Sequence, residues 1–313
     1  MARAYLALVL VGLVWGSNYI FIKIASGVLP PMQIVLLRVA AGFLPLLLAA
    51  WATGAISRAQ LRHLPHFVVM SVLATSFYYY GFVAGTALLP SSVAGLLGGA
   101  IPIVTFLTSL LFLRSERPNR LMGAGVALGF VGILLTARPW ENGATISTTG
   151  VLWVLAGVAS VGVSFVYARR FLAPLGLKPL ALATWQTGLA LLTLATLTDT
   201  TGMSVILDQP RALAALVLGL GVLGTGLAYL IYYYMVQQLG AVGASGATYL
   251  PAVVALLIGA SVGEPVTALE IAALVLILGG VALIQLGSRH QLLARTVAAT
   301  PAWPEPAQAD PVR

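Results

Sequence analysis

Long apolar runs follow one another along the chain, separated by short polar breaks, and within the runs apolar and polar positions do not alternate. A run of about 20 such residues crosses the hydrocarbon core of a bilayer as a helix. The missing two-residue alternation argues against a β-barrel. Ten helical spans are predicted, at about 4–24, 32–52, 67–87, 92–113, 119–137, 150–171, 179–199, 212–237, 242–263 and 267–287. The first run continues to Ile22 without a small-residue cleavage pattern, so it reads as an uncleaved span rather than a signal peptide. Residues 289–313, with Pro, Ala and scattered charge, read as a disordered cytoplasmic tail.

Composition makes the bilayer the chain's main solvent. Of 313 residues, 60% are hydrophobic and 8% are charged, against roughly 25% charged in soluble domains. So few charges cannot cover a water-exposed surface. The absence of cysteine excludes disulfides and thiolate metal sites. The net charge of +8 reads as a bias of cytoplasmic loops, not as a nucleic-acid patch. With the N-terminus inside, the cytoplasmic side holds Arg3, Arg58, Arg62, Arg114, Arg117, Arg120, Arg169, Arg170, Lys178, Arg289, Arg295 and Arg313. The other side, embedded Arg38 included, holds Lys23, Arg38, Arg138 and Arg211. Both termini are then expected in the cytoplasm of a multi-pass inner-membrane protein.

The two halves resemble each other at an offset near 148 residues, the difference between Pro31 and Pro179 and between Arg38 and Gln186. Tyr78, Tyr79 and Tyr80 match Tyr232, Tyr233 and Tyr234 at a slightly larger offset, Pro102 matches Pro251, and Glu116 matches Glu264. Five spans per unit is an odd number, which turns the second copy over. The expected fold is therefore an all-α membrane protein of ten transmembrane helices in two inverted five-helix repeats, 1–142 and 143–288. Such a plan places a substrate site near the midplane between the halves.

Several motifs carry a family resemblance over roughly residues 4–288. Helices 4 and 9 each combine small residues, a proline, an apolar run and a terminal Glu, at 91–116 and 243–264. The first span carries Trp15-Gly16-Ser17-Asn18, the second Arg38, and the third the aromatic run Tyr78 to Tyr80. In these features the chain resembles the drug/metabolite transporter superfamily, and within it the EamA-type ten-helix exporters. The resemblance implies export of amino acids, other metabolites or drugs, and the aromatic helices are similar to those of the aromatic amino-acid exporter branch. Basic residues Arg114 and Arg117 beside Glu116 depart from the pattern.

Arg38 lies about seven residues, or about 10 Å, inside its span. A charge at membrane depth costs at least ~2.5 kcal/mol and marks a functional candidate. It is expected either to attract a substrate carboxylate or to snorkel outward or pair with Glu264 or Glu270. Within each tyrosine triplet successive side chains point about 100° apart, so no more than two of Tyr78, Tyr79 and Tyr80, or of Tyr232, Tyr233 and Tyr234, face one cavity. They serve either as an aromatic wall for a flat substrate or as packing between helices. Trp15, Asn18, Ser164, Trp185, Gln186, Thr248 and Tyr249 are the further candidates for the wall, with helix–helix bonding as the alternative. Pro102 and Pro251, with Gly98 and Gly246, are the candidate hinge or gate residues, because proline removes a helical hydrogen bond and clashes with the preceding turn.

No nucleotide-binding loop, no metal-ligand spacing and no catalytic constellation is visible in the sequence. The chain is expected to be no enzyme and to need no cofactor or metal. Its expected partners are a small-molecule substrate and lipid, with a monomer the preferred oligomeric state. No carboxylate lies at mid-bilayer, so facilitated transport is favoured over proton coupling, and with what the resemblance implies the expected function is export of apolar or aromatic amino acids by alternating access through a central cavity. Proton-coupled efflux of hydrophobic cations is the alternative, with a channel or lipid scramblase behind it.

Overall fold

A computed structural model of the chain describes residues 2–112, 119–138, 140, 146–232, 234 and 250–299. The described residues form helices and connecting turns, with no strand among them. The helices are α1 (Ala2–Ser26), α2 (Pro31–Ala52), α3 (Arg58–Ala87), α4 (Ser91–Phe112), α5 (Arg120–Ala137), α6 (Thr148–Leu175), α7 (Pro179–Leu197), α8 (Pro210–Tyr232), α9 (Leu250–Ser261) and α10 (Ala268–Ala299). Nine of the described helices are long and apolar enough to cross a membrane, and α9 is a shorter apolar helix.

Local sequence sets the ends and breaks of these helices. Proline begins α2, α7 and α8, where its missing N–H costs nothing and its fixed φ suits the first turn. Asn119 and Ser147 cap α5 and α6 by accepting from the N–H groups of Met122 and Gly150. Helix α4 is broken between Gly98 and Ile101, one residue before Pro102, which has no N–H to return to the Gly98 carbonyl. Wide π-type turns interrupt α3 at Val72–Ser76 and α8 at Ala215–Leu227, each just before a group of tyrosines.

Of the segment 289–313 expected as a tail, residues 300–313 lie outside the described residues. The last helix continues to Ala299. The stretch 289–299 contains neither Gly nor Pro and is rich in Leu, Ala, Arg and Gln, all good helix formers, so the helix continues beyond the apolar span.

Helix contacts define the directions of the pairs. Thr184 at the start of α7 donates to the Leu46 carbonyl near the end of α2, and Gln33 at the start of α2 donates to Asp199 and Thr201 just past α7. Helices α2 and α7 are therefore antiparallel. The same holds for α4 and α9, where Gly95 faces Ala255 and Gly99 faces Ala252. It holds again for α5 and α10, where Gly125 faces Gly280 and Gly132 faces Ala273.

Candidate functional site

A cavity of about 330 Å³ lies among these helices. Each wall is one helical face. Helix α1 contributes Trp15, Asn18, Tyr19 and Ile22, the i, i+3, i+4, i+7 positions that share a stripe. Helix α3 contributes Met70, Ala74, Tyr78, Tyr79 and Phe82, and α6 contributes Val161, Ser164, Phe165 and Ala168. Arg38 comes from α2, Gly98, Gly99 and Ile101 from the break in α4, and Pro179, Leu182 and Gln186 from α7. Gly224, Tyr229, Tyr232 and Pro251 complete the lining.

Among the described residues of that lining Arg38 is the one with a charge, and it is buried. Its Nε donates to Thr225 Oγ1 at 3.2 Å, and its guanidinium lies over the Tyr79 ring, 3.8 Å from the centroid. With the Asn18 amide turned to satisfy both neighbours, its oxygen accepts from Arg38 Nη2 at 3.3 Å and its nitrogen donates to the Val14 carbonyl. The cation is held by neutral groups and a π face. Neither carboxylate expected as an alternative partner is engaged with it. Glu270 faces Arg138 at 3.6 Å, and Glu264 accepts from Ser91 and Ser92. That part of the sequence expectation is corrected: Arg38 is buried at the cavity wall, and the two glutamates serve helix ends instead.

Two groups of aromatic rings line the cavity beside the guanidinium. Tyr78 contacts Tyr79 and Phe82 with ring centroids 4.9 Å apart in each case, and Tyr19 contacts Phe82 at 6.0 Å. Trp15 and Tyr232 meet at 5.7 Å. Gly98 lies so close to Tyr19 that a Cβ added there would overlap the tyrosine hydroxyl.

Of the residues singled out in the sequence, Trp15, Asn18, Arg38, Tyr78, Tyr79, Ser164, Gln186, Tyr232, Gly98 and Pro251 line this cavity. Tyr80, Trp185 and Pro102 are outside its lining. Tyr80 packs edge-on against Trp153 at 5.1 Å. Trp185 stacks on Phe67 at 5.7 Å and donates to Gln60 Oε1 at 2.8 Å. Helix geometry explains both: Tyr80 is rotated away from the Tyr78 and Tyr79 faces, and Trp185 away from Gln186. Tyr233, Gly246, Thr248 and Tyr249 lie outside the described residues, as does Glu116. Sequence reasoning missed Tyr19, Met70, Phe82, Phe165, Leu182, Gly224 and Tyr229. The stripe running through Trp15 and Asn18 carried the signal for Tyr19 and Ile22.

The two ends of the cavity differ. It reaches the surface where α6 gives way to α7, at Ala168 and exposed Pro179. At the opposite end polar side chains tie one helix to the next. Lys23 Nζ donates to the carbonyls of Ala87 (3.3 Å) and Leu89 (2.8 Å), closing α1 onto the end of α3. Gln33 ties α2 to the segment after α7. Glu264 Oε1 accepts from the Ser91 N–H at 2.8 Å and the Ser91 hydroxyl at 2.9 Å, and Oε2 accepts from the Ser92 N–H at 3.0 Å. A carboxylate thus satisfies the free N–H groups that begin α4, where the helix dipole also favours it.

Burial alone would raise the Glu264 pKa, but the bonds from Ser92 and Ser91 outweigh it and hold the carboxyl below the ordinary range. A depressed folded-state pKa contributes stability above the unfolded value, and that stability disappears as pH falls through the folded one. Detergent-solubilised protein is therefore expected to lose a few degrees of melting temperature on acidification through the carboxylate range. Glu264→Gln is expected to start lower at neutral pH and to show a smaller acid loss. An identical acid loss in the variant contradicts the capping role.

Comparison with known proteins follows this geometry. The chain matches the EamA-like transporter family over residues 2–138 and again over residues 148–286. It is 27% identical over 286 residues to the uncharacterized inner membrane transporter YedA of Escherichia coli (strain K12), covering 88% of each chain. It is 26% identical over 305 residues to a probable terminal-alkyne amino-acid exporter of Streptantibioticus cattleyicolor, covering 96% of this chain and 98% of the other. A solved crystal structure shares the fold with a TM-score of 0.58 at 22% identity, over 96% of this chain and all of that one. The apolar helices and these relatives make the chain a multi-pass inner-membrane protein. Two matches to one family, together covering most of its length, show that the chain belongs to the EamA-like transporter family.

Proposed function

We propose that the protein exports a small monocarboxylate metabolite, with apolar or aromatic amino acids favoured, by alternating access through the cavity around Arg38. The observation that carries this reading is a buried guanidinium at the cavity wall, beside aromatic rings and with no acidic residue among the described lining residues. A carboxylate gains charge-assisted hydrogen bonds there. A hydrophobic cation would meet repulsion without a counter-charge, so efflux of cations is the weaker reading. The volume of about 330 Å³ suits one amino acid with an aromatic side chain.

The amino-acid assignment draws support from the names of two relatives, the alkyne amino-acid exporter above and a probable amino-acid metabolite efflux pump of Salmonella typhimurium, 29% identical over 54% of each chain. The inverted-repeat plan is supported by the two family matches and by the antiparallel packing of equivalent helices α2 with α7, α4 with α9 and α5 with α10. The mouth beside Pro179 faces the cytoplasm in this plan, and the end tied by Lys23, Gln33 and Glu264 faces outward. The break at Gly98–Ile101 supplies a bend between them. The described lining contains no Asp, Glu or His, which favours facilitated diffusion over proton coupling.

The test is counterflow by purified protein in liposomes, with labelled phenylalanine and a panel of amino acids and hydrophobic cations, with and without a pH gradient. Saturable flux that amino acids inhibit, and that a pH gradient leaves unchanged, is expected. Flux linear in concentration supports a channel or scramblase, and inhibition by cations alone overturns the carboxylate assignment.

A further inference from the structure

Gln186 is buried, lines the cavity, and makes no hydrogen bond among the described residues. Its amide atoms are not among the sealed, unpaired polar atoms of the described residues, so they stay open to the cavity and available to a partner there. The other buried polar residues of the lining are engaged: Asn18 bonds Val14 and Arg38, and Ser164 donates to the Val161 carbonyl. Gln186 therefore holds its donors and acceptor toward the space a ligand occupies.

Its position relative to Arg38 follows from the α2–α7 register. Thr184 meets Leu46, and Gly188 faces the Phe43 ring, so Gln186 is level with residues 44–45 of α2. Arg38 is six to seven residues further from the mouth, which is about 10 Å at 1.5 Å per residue. Leu182, one turn before Gln186, lines the cavity on the mouth side, while Tyr78, packed against Tyr79 and Phe82, adds an aromatic face to the wall near Arg38.

We propose that Gln186 is the second anchor of a two-ended site, reading a neutral hydrogen-bonding group at the end of the substrate remote from the carboxylate that Arg38 holds. This rests on the reading of the cavity as the substrate path. The preferred substrate class is then a monocarboxylate with a flat apolar body and an uncharged hydroxyl, amide or similar group at its far end. The offset of 148 residues makes the anchors equivalent positions of the two halves, one charged and one neutral, and this difference gives the ligand a single orientation.

L-Tyrosine and L-phenylalanine are the probes, because they differ by one hydroxyl at the end remote from the carboxylate. Counterflow and thermal-shift binding are measured for both in the wild type, Gln186→Leu and Gln186→Glu, with each variant's melting temperature as the check on folding. The wild type is expected to prefer tyrosine by roughly 3- to 10-fold in kcat/KM, the range of one net hydrogen bond. Gln186→Leu is expected to bring that ratio near one, while Gln186→Glu, still an acceptor for the phenol, retains it. An unchanged ratio in Gln186→Leu, or no preference in the wild type, overturns the second anchor while leaving the transport reading intact. If the wild type neither binds nor carries either probe, both fall.

Discussion

Arg38→Gln is expected to lower kcat/KM for a carboxylate substrate by roughly 10- to 100-fold, mostly through a raised KM. The magnitude follows from a hydrogen bond to a charged group, about 1.5–3 kcal/mol. The substitution also removes the partner of Thr225 Oγ1 and Asn18 and the cation above Tyr79, so some loss of stability accompanies it. Arg38→Lys separates the two effects. It keeps the charge but has no planar fork to bond Thr225 and Asn18 while presenting an edge to the ligand. An intermediate loss is expected for it. Full activity in Arg38→Lys contradicts recognition through the guanidinium geometry. Full activity in Arg38→Gln removes Arg38 from the site altogether.

The second large effect is expected on folding, at the crossing of α5 and α10. A Cβ at Gly125 would lie 2.5 Å from the Gly280 carbonyl oxygen and 3.0 Å from the Ile284 nitrogen. A Cβ at Gly280 would lie 2.5 Å from the Gly125 carbonyl oxygen and 2.7 Å from the Gly129 nitrogen. The obstacles are backbone atoms, which cannot rotate aside. In lipid, close backbone approach of this kind is what holds helices together, because burial from water supplies no further driving force. Gly125→Leu is expected to cost about 3 kcal/mol or more, at or beyond the upper range for overpacking. It should show as a lower melting temperature and less monodisperse protein on size exclusion. Gly123→Leu on the same helix, where a side chain would meet nothing within 4 Å, is the control. Equal stability of the two variants contradicts the packing.

Sequence reasoning reached the helical, membrane-spanning character of the chain because apolar runs of span length have no other stable form in lipid. It reached the breaks in α4 and the starts of α2 and α7 because proline acts locally. Arg38 stood out because a charge among apolar residues is rare. The rest of the cavity was harder to read for a physical reason. In water, a helix shows its buried face by a stripe of apolar residues, but these helices are apolar all round, so periodicity does not tell which face meets lipid and which meets the cavity. Tyr80 and Trp185 illustrate the loss: both belong to conspicuous aromatic groups, and both turn to a neighbouring helix. Tyr19 illustrates what remained available, one position beyond Asn18 on the stripe already marked by Trp15. Thr225 and Gly224 needed the three-dimensional structure, because the π-type turns of α8 shift its rotation away from a regular 3.6-residue count.

The central claim is that the cavity is the path, open at the α6–α7 end and closed at the other. The chain has no cysteine, so one introduced thiol reports its own surroundings without background. Leu182→Cys places that thiol on the cavity wall near the mouth. Labelling by a membrane-impermeant maleimide in inverted and in right-side-out vesicles is the direct measurement. The account predicts labelling in inverted vesicles, slowed by saturating transported amino acid, and little labelling in right-side-out vesicles without substrate. Labelling from neither side, or labelling from the cytoplasmic side that substrate leaves unchanged, would contradict it.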